Sequence, residues 1–333
     1  MALLTFLGAT QQVPGSCYLI ETRDGAKVLL ECGMRQGRRE DEAQNRAPFA
    51  FDPASLDAVV ISHAHIDHTG LLPRLVASGY RGPIFATEAT CDLMELMLLD
   101  AANLQEKDAE WENKWRARLG KAFVEPLYTV ADTEQTLKQR RPLAYGQTQE
   151  VAPGVRITYH DAGHILGSAI VDLHIIDHHL DRHLVFSGDL GNACSPLMRD
   201  PSILTDADLV LMESTYGDRD HRNDEETLEE LAAILQAAHR DGGNVLIPSF
   251  AVGRTQDLIY YLGKFYQEGR LPQQAVFLDS TMAIRANAIY SRYHEQFDSL
   301  DRERLQAKGV KRIEDWLPVL RCTPTPEESM AIN

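Results

Sequence analysis

The sequence predicts an α/β fold in two parts. As far as Glu213, short apolar runs alternate with loops, and the polar residues able to do chemistry gather where those runs end. Beyond Glu213, strand-like and helix-like segments alternate, the pattern of a parallel sheet and hence of a second domain. The richest strand end is Ser62-His63-Ala64-His65-Ile66-Asp67-His68-Thr69-Gly70, which follows the apolar run 56–61 and precedes the apolar, helix-like 71–76.

The chain of 333 residues is long enough for two domains, and with 44% hydrophobic and 25% charged residues it is ordinary for a soluble globular protein. A net charge of −16 argues against a broad grip on nucleic acid through overall charge. A local basic channel stays open, and phosphate can also be held by metals or helix N-termini. The five scattered cysteines form no CxxC pair, the run 2–7 is too short for a signal core, and no stretch approaches the ~20 apolar residues of a membrane span. A cytoplasmic protein with reduced thiols and no membrane partner is expected.

Taken in order, 3–7, 17–21 and 27–30 read as strands, the last two joined by the hairpin signal Asp24-Gly25. The third ends in Glu31-Cys32-Gly33, which is either a plain turn or an acid that orients a metal-binding histidine. In the histidine stretch, His63 and His65 share one side of extended backbone, while Asp67 and His68 sit where the chain turns into a helix ending at Gly79. Imidazoles and a carboxylate this close suit a borderline-soft divalent ion such as zinc. A strand at 83–87 precedes a long helix, 87–118, with Leu93, Leu96, Met97, Ala101, Leu104 and Ala109 as its core stripe and Trp111 and Trp115 packed or walling a cleft.

Strands at 155–160 and 170–176 flank a Gly-rich loop that carries His164, a further candidate ligand. His178, His179 and His183 read as the solvated tip of the next hairpin. The strand 184–186 ends in Ser187-Gly188-Asp189, and 209–212 ends in Glu213. The second part begins with an acidic first helical turn at Asp224 and a helix stopped by Gly242-Gly243. Strands are expected at 244–248, 275–278 and 318–322, with helices from Thr255 and Thr281 and a capping box at Thr325-Pro326-Glu327-Glu328. The junctions Pro248-Ser249-Phe250-Ala251-Val252-Gly253-Arg254 and Asp279-Ser280-Thr281 expose hydroxyls, amides and an arginine, which serve equally as plain caps or as a phosphate site.

Pooled, the strand ends offer His63, His65 and His164 for one metal and Asp67 and His68 for a second, with Asp189 able to bridge, a donor set that supports hydrolysis. Glu31-Cys32-Gly33, His63-Ala64-His65-Ile66-Asp67-His68, His164 and Ser187-Gly188-Asp189 resemble the first four motifs of the metallo-β-lactamase superfamily. Glu213-Ser214-Thr215-Tyr216-Gly217, the Ser249–Arg254 segment and Asp279-Ser280-Thr281-Met282-Ala283 are similar to those of its β-CASP branch, the nucleases of RNA and DNA processing.

The resemblance implies an αββα sandwich over 1–207 and an inserted β-CASP domain over 208–333, both incomplete at the C-terminal end. It implies zinc on His63, His65, His164 and Asp189, a second zinc on Asp67, His68 and Asp189, and manganese as an alternative ion. Asp67, Asp189 and Glu213 would take part in catalysis, Ser249, Arg254, Ser280 and Thr281 would meet the substrate, and Glu31 would orient a ligand. The implied activity is a zinc-dependent ribonuclease that hydrolyses phosphodiesters of single-stranded RNA through a metal-bridging hydroxide.

The resemblance also implies a return segment after the inserted domain, with one histidine partnering Glu213 and another completing the second zinc. His221, His239 and His294 lie in charged or helical surroundings and do not match it. The chain is therefore read as C-terminally truncated. Its activity is expected to be impaired or to need the missing segment, and the isolated chain to expose a sheet edge and oligomerise or dissolve poorly. The alternatives are a non-catalytic remnant that binds metal or RNA, and a small-molecule hydrolase of the same superfamily, against which the capping domain argues.

Overall fold

A computed structural model describes residues 2–37, 39–177, 180–220 and 222–332. The chain divides into two units: 1–162, 167–190 and 201–213 form the first, and 163–166, 191–200 and 214–333 the second.

The first unit is built on two sheets. One has the order β1 (Leu3–Phe6), β2 (Tyr18–Glu21), β3 (Lys27–Leu30), β4 (Ala58–Val60), β5 (Ile84–Ala86), β6 (Arg140–Pro142). It is antiparallel from β1 to β3 and parallel from β3 to β6. The other runs β11 (Leu209–Leu211), β10 (Leu180–Phe186), β9 (Ala169–Asp177), β8 (Val155–Asp161), β7 (Thr148–Ala152), antiparallel except for the parallel pair of β10 and β11.

Alternation along the strands makes the sandwich. Ile20, Val28, Leu30 and Val60 of the first sheet share one core with Val155, Ile157, Val171, Leu173 and Phe186 of the second. The intervening Leu19, Leu29, Val59 and Ile84 face the other way and are buried too, as are the helical Leu72, Leu75, Leu93 and Met94. The helices of this unit are α1 (Arg39–Arg46), α2 (Ile66–Thr69), α3 (Leu72–Ala77), α4 (Glu88–Arg118) and α5 (Val130–Lys138). No helix among the described residues is long and apolar enough to cross a membrane.

The second unit holds α6 (Asp224–Arg240), α7 (Arg254–Gln267), α8 (Thr281–Arg292), α9 (Ser299–Ala307) and α10 (Pro326–Met330). Its strands β12 (Val276–Leu278) and β13 (Leu320–Cys322) pair in parallel. Tyr260 and Trp316 stack at 5.9 Å, and the indole N–H donates to the Tyr260 carbonyl at 2.9 Å. Gly263 makes room for that ring, since a Cβ there would lie 2.1 Å from it. Thr325 and Glu328 form the expected capping box.

Several expectations are corrected. The helix from Asp67 to Gly79 is two short helices, because Gly70 closes α2 and the Leu71 amide turns to the Cys32 carbonyl. The segment 244–248 pairs with no strand among the described residues, and Leu246 is 90% exposed. Its apolar run has strand propensity, but a strand also needs a hydrogen-bonded neighbour. The buried face of α4 runs through Leu93, Met94, Leu98, Ala102 and Ala109 and leaves Leu104 exposed, about one residue off the anticipated stripe. Trp111 and Trp115 are exposed rather than packed. His183 lies within β10 and is only 17% exposed, not on a solvated tip; His178, His179 and His221 lie outside the described residues.

The helix face is directly testable. Met94→Ala should cost about 2–5 kcal/mol in urea unfolding, whereas Leu104→Ala should stay within about 0.5 kcal/mol of the parent. Equal costs would show that the buried face is misassigned.

Candidate metal centre

Two pairs of parallel neighbours, β3 with β4 and β10 with β11, end in the polar segments that build the site. Glu31 follows β3, and Ser62-His63 follows β4. Glu31 adopts φ +60, a left-handed conformation that a non-glycine residue holds only when its surroundings enforce it. Here the enforcement is visible. The fully buried carboxylate accepts from the Ser62 amide at 2.5 Å and meets His68 Nδ1 at 2.7 Å.

Burial pushes the Glu31 carboxyl up, and the hydrogen bonds from His68 and Ser62 oppose it. Burial alone would lower the His68 pKa, yet hydrogen bonds to Asp189 and Glu31 hold it well above the usual histidine value. The raised pKa favours a protonated ring, in which Nδ1–H donates to Glu31. Nε2 is left facing Asp189 Oδ1 at 3.3 Å and Asp67 Oδ2 at 3.8 Å.

The second focus is His63, whose ring is buried. Its Nδ1 lies 3.0 Å from Ser62 Oγ, and its Nε2 lies 3.1 Å from His65 Nδ1 and 3.8 Å from Asp189 Oδ2. One donor atom from each of His63, His65 and Asp189 lies within 4.8 Å of the others. Zinc–nitrogen bonds of about 2.0–2.1 Å imply donor–donor edges of about 3.3 Å in a tetrahedral shell. The spacings around His63 and His68, 3.1 to 3.8 Å, bracket that edge. Imidazole and carboxylate lone pairs crowded this way repel unless protons or a cation lie between them, so the donor set fits a divalent ion of the zinc type.

Backbone hydrogen bonds lock the two halves of this site together. Cys32 N donates to the His68 carbonyl at 2.8 Å, Met34 N to Ile66 at 3.0 Å, and Ser16 N to Asp67 at 2.9 Å. Gly33 is required at this crossing, because a Cβ there would sit 1.6 Å from the Asp67 carbonyl oxygen. Gly188, at φ +54, lets the β10 end reach Ser62; a Cβ would meet the Ser62 side chain at 2.7 Å. The Thr69 hydroxyl ties α2 back to the carbonyls of Ala64 and His65.

The chain alone gives Ser62, Gly33 and Thr69 no role of their own. They border the ligands there, but their partners become visible only once the loops meet. On β10 and β11, Glu213 Oε1 accepts from Leu190 N at 3.0 Å and Glu213 N donates to Ser187 Oγ at 3.1 Å, which sets this carboxylate beside the Asp189 loop. His164 lies in the 163–166 loop between β8 and β9, a segment that groups with the second unit.

In the second unit, Ser249 Oγ accepts from the Thr255 hydroxyl and donates to the Phe250 carbonyl, and Ser280 caps α8 by accepting from Ala283 N at 3.2 Å. Thr281 opens that helix and is exposed. Arg254 begins α7 with its side chain 68% exposed, 3.7 Å from Asp257. Burial pushes the Asp257 carboxyl up to about 7, opposed by Arg254, so this carboxylate only partly offsets the arginine charge near neutrality.

Family models match at two places: the metallo-β-lactamase superfamily over residues 10–91 and the β-CASP domain over 255–333. Ribonuclease TTHA0252 of Thermus thermophilus is 41% identical over 328 residues, covering 98% of this chain and 68% of that protein. The chain belongs to the β-CASP branch of the metallo-β-lactamase superfamily. Transcription termination factor FttA of Methanothermobacter thermautotrophicus is 36% identical over 304 residues, covering 87% of this chain and 44% of its own length. FttA of Methanocaldococcus jannaschii is 33% identical over 310 residues, with 92% and 46% covered. This β-CASP chain thus spans less than half of the archaeal relatives.

Gly33→Ala should force the Glu31 and Asp67 loops apart, costing about 1–3 kcal/mol or more in urea unfolding because the clashing atom is backbone. Metal content measured after refolding should fall with it. Full stability in this variant would refute the close crossing.

Proposed function

We infer that this chain is the metal-binding core of a ribonuclease that hydrolyses phosphodiester bonds of single-stranded RNA in the cytoplasm. The observation that carries this reading is the convergence of His63, His65, His68, Asp67 and Asp189 at 3.1 to 3.8 Å on the strand ends of the first unit. The names of the relatives, a ribonuclease and transcription termination factors, support RNA as the substrate. We assign His63, His65, His164 and Asp189 to one zinc and Asp67, His68 and Asp189 to a second, with manganese as a substitute. His164 enters on its sequence motif. Residues 1–207 are read as the lactamase-like domain and 208–333 as the β-CASP domain.

Divalent ions held by these residues would supply polarisation of a phosphoryl oxygen and a water acidic enough to react at neutral pH. The rest falls to the chain. Glu31 holds the Nδ1 proton and the ring plane of His68, so that Nε2 is the nitrogen that would shed its proton and take a ligand. Ser62 holds Glu31 through its amide and lies against His63 Nδ1 through its hydroxyl. Glu213, anchored on the Leu190 amide next to Asp189, is the carboxylate we assign to the proton transfers of hydrolysis. Arg254, Ser249, Ser280 and Thr281 offer a guanidinium and hydroxyls at two helix N-termini, groups suited to the RNA backbone.

His65→Ala should abolish zinc- or manganese-dependent cleavage of a labelled single-stranded RNA while leaving the circular dichroism spectrum intact. A parent protein that binds two metals yet never cleaves or binds RNA would overturn the reading. Glu31→Gln, which keeps the shape but weakens the acceptor for His68, should lower metal affinity about 10–100-fold in competition with a chelator. An unchanged affinity would remove Glu31 from its orienting role.

A further inference from the structure

The outer face of the second sheet carries a separate cluster of donor groups. Asp172 and His174 are two apart on β9 and share that face, and His183 on β10 stands directly opposite His174. The His174 and His183 rings stack at 4.5 Å with only 15° between their planes, so both imidazoles project the same way. His183 Nε2 lies 2.5 Å and His174 Nε2 3.8 Å from the same Asp172 oxygen. One donor atom from each of the three lies within 4.8 Å of the others.

A fourth group points in from β8. His160 Nε2 is shielded from solvent, lies 3.5 Å from the other Asp172 oxygen, and makes no hydrogen bond among the described residues. A buried ring nitrogen without a hydrogen bond, aimed at a carboxylate that two other histidines already face, is costly as it stands. The side chains of Asp172 and His183 are 15% and 17% exposed and that of His174 is 45% exposed, which leaves an entry from solvent. Asp181, 3.6 Å from His174 Nδ1, can hold that ring's second nitrogen in the way carboxylates support metal-bound histidines.

We propose that Asp172, His174 and His183, with His160 as a fourth donor, form a further binding site for a divalent transition-metal ion of the zinc class on the outer face of the second sheet. Three imidazoles and one carboxylate are a tetrahedral zinc donor set. The three core ligands sit on two adjacent hydrogen-bonded strands, so ring rotations rather than backbone movement would close the shell. The site shares no residue with the centre around His63.

The test compares the parent chain with His174→Gln/His183→Gln after zinc loading and gel filtration, with metal counted by mass spectrometry. The variant should hold about one zinc fewer per chain, with RNA cleavage and the circular dichroism spectrum unchanged. Equal zinc content in the two folded proteins would overturn the proposal and leave the cluster a hydrogen-bonded network. Should the double variant not fold, His174→Gln alone decides. Its weakest zinc should exchange to a chelator at least tenfold more readily than the parent's, and an identical exchange profile would refute the site.

Discussion

The buried Glu31 carboxylate is the constraint on which the geometry of the candidate metal centre depends. It joins three chain segments that would otherwise drift apart: its own strand end, the Ser62 amide at the end of β4, and the His68 ring on α2. A carboxylate with no access to water is tolerated only when its oxygens are satisfied, and both are. The left-handed backbone at Glu31 is the local cost of aiming it inward, and the surrounding stitches at Cys32, Gly33 and Met34 hold that conformation in place.

The two sheets bring their ends together by one shared device. In each, a pair of parallel neighbours stops at the same level, so residues that follow the strands emerge side by side. Gly188 removes the one side chain that would keep β10 from Ser62, and the Ala169 amide donates to the Ser62 carbonyl at 2.9 Å. The site is thus a property of where strands end, and the core of valines, leucines and isoleucines between the sheets keeps those ends fixed.

Much of this was legible along the chain. His63, His65, Asp67 and His68 fall within six residues, and the Ser187-Gly188-Asp189 end repeats the same logic, so the ligand types and the α/β class follow from local pattern. Less visible were elements whose existence depends on a neighbour. The strand Arg140–Pro142 has two arginines and a proline and is a strand because β5 lies beside it. Conversely, 244–248 has strand composition and no partner among the described residues. The α4 stripe was displaced because an apolar residue on a long helix is buried only where something covers it, and Leu104 is not covered.

The outer-face cluster draws the same boundary. Which residues can bind a metal is written in the chain, because donor chemistry belongs to side-chain types, and so is the family, because its motifs are short. Register is not written there. Reading His183 with its neighbours in sequence places it on a hairpin tip, whereas the pairing of β9 with β10 sets it opposite His174 and against Asp172. Strand register is fixed by the burial of the inner face, Leu173 and Leu184 among others, and one residue of slip in β10 would turn His183 away from His174 and Asp172. Which donors meet is settled by the packed fold, because distance between residues far apart in the chain is set by packing and not by spacing.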